Sequence, residues 1–237
     1  MGMQLMKGIC IMETAARIIE FPELKMEKHV SRRKPKPMPD IKYYSDLQIK
    51  LLRRSVRERA ETALERGKVT GVREWMAIDL LTSTGLRVSE TANIRCGDIM
   101  TGYGESELFV RDGKGSKSRA VQIPEHLKTH LRSFLKWKQG QGEGTDKDDH
   151  LFMGQRGNWT SQAVQQVVKK YLKVLGLYKN GKSVHALRHS YAVQYYHKNR
   201  DLRGLQKQLG HSSIQTTTIY ADVTKEDIQE NIKSLWS

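Results

Sequence analysis

Cysteine is nearly missing from this chain. Only Cys10 and Cys96 occur, with no Cys-x-x-Cys pair, which excludes a zinc-finger spacing and a disulfide framework. A reducing interior, and so a cytoplasmic location, is expected. Long apolar runs are missing too. No stretch approaches the roughly 20 residues that cross a bilayer, and no membrane association is expected. The N-terminus lacks the apolar core and small-residue cleavage site of a signal peptide. Gly2 is followed by Met6 where myristoylation needs Ser or Thr. No carboxylate cluster suited to a metal pair stands out, which argues against a two-metal nuclease, and no cofactor or metal is expected. Acidic residues are scarce relative to basic ones, 26 Asp plus Glu against 41 Lys plus Arg, giving a net charge of +15. That balance is the footprint of a polyanion binder, although charge alone equally fits a ribosomal or merely basic soluble protein.

Proline is rare, and three of the five prolines fall at Pro35, Pro37 and Pro39. The segment Lys25 to Asp40 is basic, and its alternating prolines favour an extended chain. Residues 1–40 are read as a basic, partly disordered arm, and residues 41–237 as the folded domain. Ser45 and Gln48 form a candidate capping box. Leu52, Val56, Ala60 and Leu64 recur at helical spacing toward a stop at Gly67. Further helices are predicted over about 72–82, 124–137, 161–175, 184–198 and 201–209, and a last one from Ser212 or Ser213 carrying Tyr220. Glu107 to Val110 and Ala120 to Ile123 read as two short strands around the turn RDGKGSKSR. The pattern predicts a mainly α domain with a small antiparallel β-sheet, an α+β class. The tail from Lys225 is amphipathic, with Ile228, Ile232, Leu235 and Trp236 on one side, and is expected to pack on the body or on a neighbouring subunit.

The stretch from Ser183 to Tyr220 gathers the chemistry. It places His185 and Arg188 one helical turn apart, then Gly210-His211, then Tyr220. A phosphodiester under attack passes through a five-coordinate transition state with extra negative charge. Two arginines can meet that charge bidentately, and Arg87 and Arg188 are the candidates. A tyrosine nucleophile must lose a proton whose ordinary pKa is about 10, and Tyr220 is the candidate. The departing 5′ oxygen needs a proton, and Lys114, in a hairpin tip, is placed to reach into a groove. His185 and His211 can hold or relay protons. Each feature alone has an ordinary reading: a capping Arg87, a solvated Lys114, a capping His211, a core Tyr220. His-x-x-Arg also occurs at His29 to Arg32 and His197 to Arg200, which are assigned no chemistry. The weight lies in joint occurrence in this order.

TGLRVSE (Thr84 to Glu90), DGKGSKSR (Asp112 to Arg119), HALRHS (His185 to Ser190) and LGHSSIQTTTIY (Leu209 to Tyr220) resemble the boxes of the tyrosine recombinases, the phage-integrase and Xer-like family. The resemblance covers roughly residues 41–237 and implies that family's catalytic-domain fold. It also implies metal-free attack on a DNA phosphate, a covalent 3′-phosphotyrosyl bond and strand exchange. Carried over by residue, Arg87 and Arg188 bind phosphate and Lys114 protonates the leaving group. Lys117 is a nearby competitor, but the first lysine of the pattern matches. His185 and His211 are the two histidines, Tyr220 the nucleophile, and Glu90 a structural support. The implied partners are double-stranded DNA and further copies of the chain, a tetramer on DNA linked through the tail at about 225–237. Residues 1–40 are too few for the family's core-binding domain. The basic arm, or an accessory DNA-binding protein, is expected to replace that clamp.

Two other readings share these residues. One is a DNA-binding regulator with this fold and no turnover, against which all six candidate catalytic residues argue. The other is a type IB topoisomerase-like enzyme, which would relax plasmids without a defined site.

Overall fold

Ser45 starts the first helix. Its hydroxyl accepts the N–H of Gln48 at 3.3 Å, and the Gln48 side chain accepts the N–H of Ser45 at 3.1 Å, so the predicted capping box forms. The computed structural model describes residues 41–111, 118–179, 184–221 and 232–233. The arm at 1–40, Lys114 and nearly all of the tail lie outside these residues. Helix α1 spans Asp46–Glu65 and buries Ile49, Leu52, Val56 and Ala60. Its outer face carries the pairs Arg54–Glu58 and Arg57–Glu61. Arg53 turns inward instead, donating to the buried Asp79 at 2.6 Å. Helix α2, Thr70–Thr84, is buried along most of its length and ends at Gly85 with φ 66°, a left-handed conformation that glycine adopts without cost. Helix α3 is the short Val88–Ala92.

Strands β1 (Ile99–Met100), β2 (Glu107–Val110) and β3 (Arg119–Gln122) form an antiparallel sheet in the order β1-β2-β3, with Leu108 opposite Val121. Alternation along β2 buries Leu108 and Val110 and turns Phe109 outward. The predicted second strand is shifted one residue towards the N-terminus. Pro124 caps helix α4 (Glu125–Gly140), which buries Leu127, Leu131 and Phe134 among the side chains beneath the sheet. A two-residue pair, β4 (Met153–Gly154) and β5 (Gly157–Asn158), precedes helix α5 (Ser161–Val174), whose cap Thr160 accepts the N–H of Ala163. Helices α6 (His185–Asn199), α7 (Leu202–Leu209) and α8 (Gln215–Thr218) follow. The mainly helical class with small antiparallel sheets is thus as expected.

Tyr220 lies outside the last helix, contrary to expectation. Helix α8 stops at Thr218 and Tyr220 sits in the turn beyond it. The reason is the run Thr216 to Thr218. β-branched side chains propagate a helix poorly, and the Thr217 hydroxyl is engaged with His211.

Helix α6 is tied to the start of α1. The buried Ser190 hydroxyl accepts the N–H of Tyr44 at 2.7 Å and donates to the carbonyl of Ala186. Replacing Ser190 by Ala removes the acceptor of a buried N–H. The variant is expected to lose about 1–3 kcal/mol in urea unfolding, and no loss would show that the Tyr44 contact is inconsequential.

Candidate active site

The site grows from the punctuation of Thr84 to Glu90. Gly85 stops α2, and two residues later Arg87 caps α3 in an extended conformation. The Glu90 carboxylate, one turn into α3, accepts the Arg87 N–H at 2.8 Å and its guanidinium at 2.6 Å. The same carboxylate takes a bidentate pair from Arg119 at the start of β3, both bonds 2.9 Å, the strong geometry for guanidinium and carboxylate. A third guanidinium, Arg188 of α6, stands 4.0 Å from Glu90. It donates to the carbonyls of Gly85 at 2.8 Å and Leu209 at 2.7 Å. Arg188 therefore joins the ends of α2 and α7.

Helix α7 reaches the site by borrowing the open edge of β3. The Gln208 side chain accepts the N–H of Gln122 and donates to its carbonyl, much as a neighbouring strand would. Arg119 in turn donates to the carbonyl of Gln208. Gly210 then ends α7 with φ 67° and delivers His211, whose Nδ1 is 2.9 Å from the Thr217 hydroxyl. Tyr220 packs with Ala192, Leu205 and Leu209 and is only 6% exposed. Its hydroxyl is 2.7 Å from Nδ1 of His189.

Electrostatics follow from this packing. Burial pushes the Glu90 carboxyl up, but the hydrogen bonds and charges of Arg119 and Arg87 overcome it and bring the pKa down to about 2. Burial, with the charge of Arg87 alongside, lowers Arg188 to about 10, so it stays cationic at neutral pH. His211 falls to about 4 through burial and the charges of Arg188, Arg87 and Arg119, which keeps it neutral. Burial raises the Tyr220 phenol, and Arg188 opposes that shift. Three guanidiniums against one carboxylate leave a net positive, preorganised site of the kind that stabilises charge developing on a phosphate.

Of the residues singled out from the sequence, Arg87, Glu90, Arg188, His211 and Tyr220 come together here. His185 opens α6, one turn before Arg188, and is exposed. Lys114 lies outside the described residues. Two residues went unassigned from the sequence alone: Arg119, which anchors Glu90, and His189, which meets Tyr220.

Comparison with known proteins fits this arrangement. The phage integrase family model matches residues 50–227. The chain belongs to the phage integrase family, the tyrosine recombinases. Tyrosine recombinase XerA of Pyrococcus furiosus is 35% identical over 164 residues, which covers 68% of this chain and 54% of that protein. Among solved structures, XerA recombinase superposes with a TM-score of 0.64 at 26% identity, covering 88% of this chain and 68% of that one. The XerH site-specific recombinase bound to its difH substrate gives 0.64 at 26%, covering 83% and 53%. The chain spans about half the length of the curated relatives it matches. Family membership covers both halves of the site, since the matched residues run from α1 past Tyr220.

Proposed function

We propose that this chain is a site-specific DNA recombinase that cleaves and rejoins strands through a 3′-phosphotyrosyl bond on Tyr220. The observation that carries the reading is the Glu90-centred cluster of Arg87, Arg119 and Arg188 with Tyr220 beside it. Arg87 and Arg188 bind the scissile phosphate, and Glu90 holds Arg87. His211, neutral and pinned by Thr217, faces the same phosphate. His185 assists from the start of α6, and Lys114 protonates the leaving 5′ oxygen. Residues 1–40 act as a basic arm on the catalytic domain at 41–237. Double-stranded DNA is the substrate, in keeping with the similar XerH recombinase, which is solved bound to its difH substrate. The assembly on DNA is a homotetramer joined through the tail, with an accessory DNA-binding protein supplying further grip.

Covalent trapping tests this. The protein is incubated with nicked duplexes from its native genomic surroundings, chelator present, and denatured in detergent. An adduct on Tyr220 by mass spectrometry, abolished in Tyr220→Phe, is the expected result. The trapped DNA then yields the site. Tight binding with no adduct on any duplex would replace the reading by that of a non-catalytic regulator. Plasmid relaxation without a preferred site would replace it by a topoisomerase-like activity.

A further inference from the structure

Arg87 and His211 are assigned above to one phosphate, yet they come from distant parts of the chain. Arg87 caps α3, and His211 follows α7. Two groups that meet one phosphate need a fixed separation, since a misplacement of about 1 Å costs on the order of 100-fold in rate. Arg119, at the start of β3, spans the gap between them. Its two terminal nitrogens donate to the two oxygens of Glu90, each at 2.9 Å. The same two oxygens accept the N–H and the guanidinium of Arg87. Burial pushes the Glu90 carboxyl up, and Arg119, ahead of Arg87, brings it down to about 2, so the carboxylate that both arginines share is anionic. Nε of Arg119 donates the other way, to the carbonyl of Gln208 at 3.2 Å. Gly210, which turns the chain out of α7 with φ 67°, rests on the same guanidinium. A Cβ there would lie 2.8 Å from Arg119 Cδ and Nε and 2.9 Å from Cζ, so only glycine lets the turn come this close. At the far end of β3, the Gln208 side chain accepts the Gln122 N–H at 3.1 Å and donates to its carbonyl at 2.8 Å. His211 is tied to this end of α7. Its N–H donates to the Gln206 carbonyl, and its own carbonyl accepts from the Gln206 side chain, both at 3.1 Å.

We propose that Arg119 is a positioning residue for strand cleavage, which sets His211 against Arg87 by bonding Glu90 and the end of α7 at once. The proposal rests on the recombinase reading of this site. Arg119 acts through other groups rather than on the phosphate. Its side chain is only 13% exposed, and its fork is occupied by Glu90. The work requires a guanidinium. Its plane fixes the angle between the fork that grips Glu90 and the Nε–H that points to Gln208, and its flat face seats Gly210. A lysine keeps the charge but is a point donor on a flexible stem. It can neutralise Glu90 or reach Gln208, and it cannot register one against the other. With that register lost, the end of α7 moves with His211 on it, while Arg87 stays with Glu90.

The test is single-turnover cleavage of the duplex recovered by trapping, below the melting transition of every variant. Rate constant and amplitude are read separately, because a partly unfolded enzyme loses amplitude and keeps its rate. Arg119→Lys is expected to cleave about 100-fold more slowly, with wild-type amplitude and duplex affinity. The measurement is repeated with a 5′-bridging phosphorothiolate, whose sulfur leaves without a proton. The deficit relative to wild type is expected to persist there, because Arg87 and His211 act on the phosphate and not on the leaving group. An Arg119→Lys rate within about threefold of wild type, a loss of amplitude alone, or a deficit that disappears on the phosphorothiolate would overturn the role of Arg119. Gly210→Ala keeps every charge and presses on the guanidinium from the other side, so it carries the test if Arg119→Lys does not fold. Its control is Gly176→Ala, with φ 66° and nothing within 4 Å of the added Cβ. Gly210→Ala is expected to be slowed on the order of 100-fold and Gly176→Ala to keep the wild-type rate. Rates within about threefold of each other would overturn the proposal. Absence of any wild-type adduct on Tyr220 would instead overturn the functional reading.

Discussion

Replacing Glu90 by Gln is expected to destabilise the protein by about 3–5 kcal/mol, the cost of removing one partner from a buried ion pair and leaving charge uncompensated. Glu90 is 7% exposed and takes four hydrogen bonds from Arg87 and Arg119. An amide of the same shape keeps the volume but offers one acceptor oxygen and no charge. Three guanidiniums would then face one another. The pH dependence identifies the cause. The Glu90 carboxyl is lowered from 4.5 to about 2, so its contribution, about 3 kcal/mol from that shift, is fully present above the ordinary carboxylate pKa and is lost as pH falls through the folded one. The stability gap between wild type and Glu90→Gln should therefore be constant near neutrality and close as pH falls from about 4.5 toward about 2. Urea unfolding of both proteins at a series of pH values measures it. A gap that does not change over that window would mean that Glu90 acts through shape rather than charge. Covalent adduct formation per folded molecule should fall as well, because Arg87 loses the group that fixes its guanidinium.

This cluster also marks the limit of what the sequence alone reveals. The periodic helices could be read because their buried positions repeat every three to four residues, as with Ile49, Leu52, Val56 and Ala60 in α1. The two-residue strands β1, β4 and β5 are too short to show a period. Helix α8 ends at Thr218, short of the Tyr220 it was expected to carry, because the β-branched threonines at 216–218 propagate a helix poorly. Within the site, Arg87, Glu90 and Arg188 were legible from the order of their motifs. Arg119 stood inside one of those motifs, but its partner lies 29 residues away in sequence, and only the docking of β3 against α3 makes the pair. His189 carried a usable signal, since it follows His185 by one helical turn and so shares its face. What the sequence could not say is that the turn after α8 would bring the Tyr220 hydroxyl to that face.

Gly85→Ala should be strongly damaging although it removes no charge, and Gly67→Ala is its control. The two glycines have nearly the same backbone, φ +66° and +65°, so an alanine pays the same left-handed penalty of about 1 kcal/mol at each. Their surroundings differ. A Cβ on Gly67 meets nothing within 4 Å, whereas one on Gly85 would sit 2.4 Å from Cδ1 of Tyr191 and 3.1 Å from Cδ2 of Leu209. Relieving that overlap requires moving a ring on α6 or the last turn of α7, which adds about 1–3 kcal/mol of overpacking. Denaturant unfolding should therefore show Gly67→Ala down by about 1 kcal/mol or less, with part of the strain offset by a stiffer unfolded chain. Gly85→Ala should be down by about 2–4 kcal/mol. The functional gap should be wider than the stability gap. The Gly85 carbonyl accepts from Arg188, and the Leu209 carbonyl accepts from the same guanidinium, so the displaced atoms are those that aim Arg188. A displacement of about 1 Å in such a group costs on the order of 100-fold in rate. Compared at a temperature where both variants are folded, Gly67→Ala should form the Tyr220 adduct at the wild-type rate and Gly85→Ala should not. Equal rates in the two variants would mean that the aim of Arg188 does not depend on the turn that ends α2.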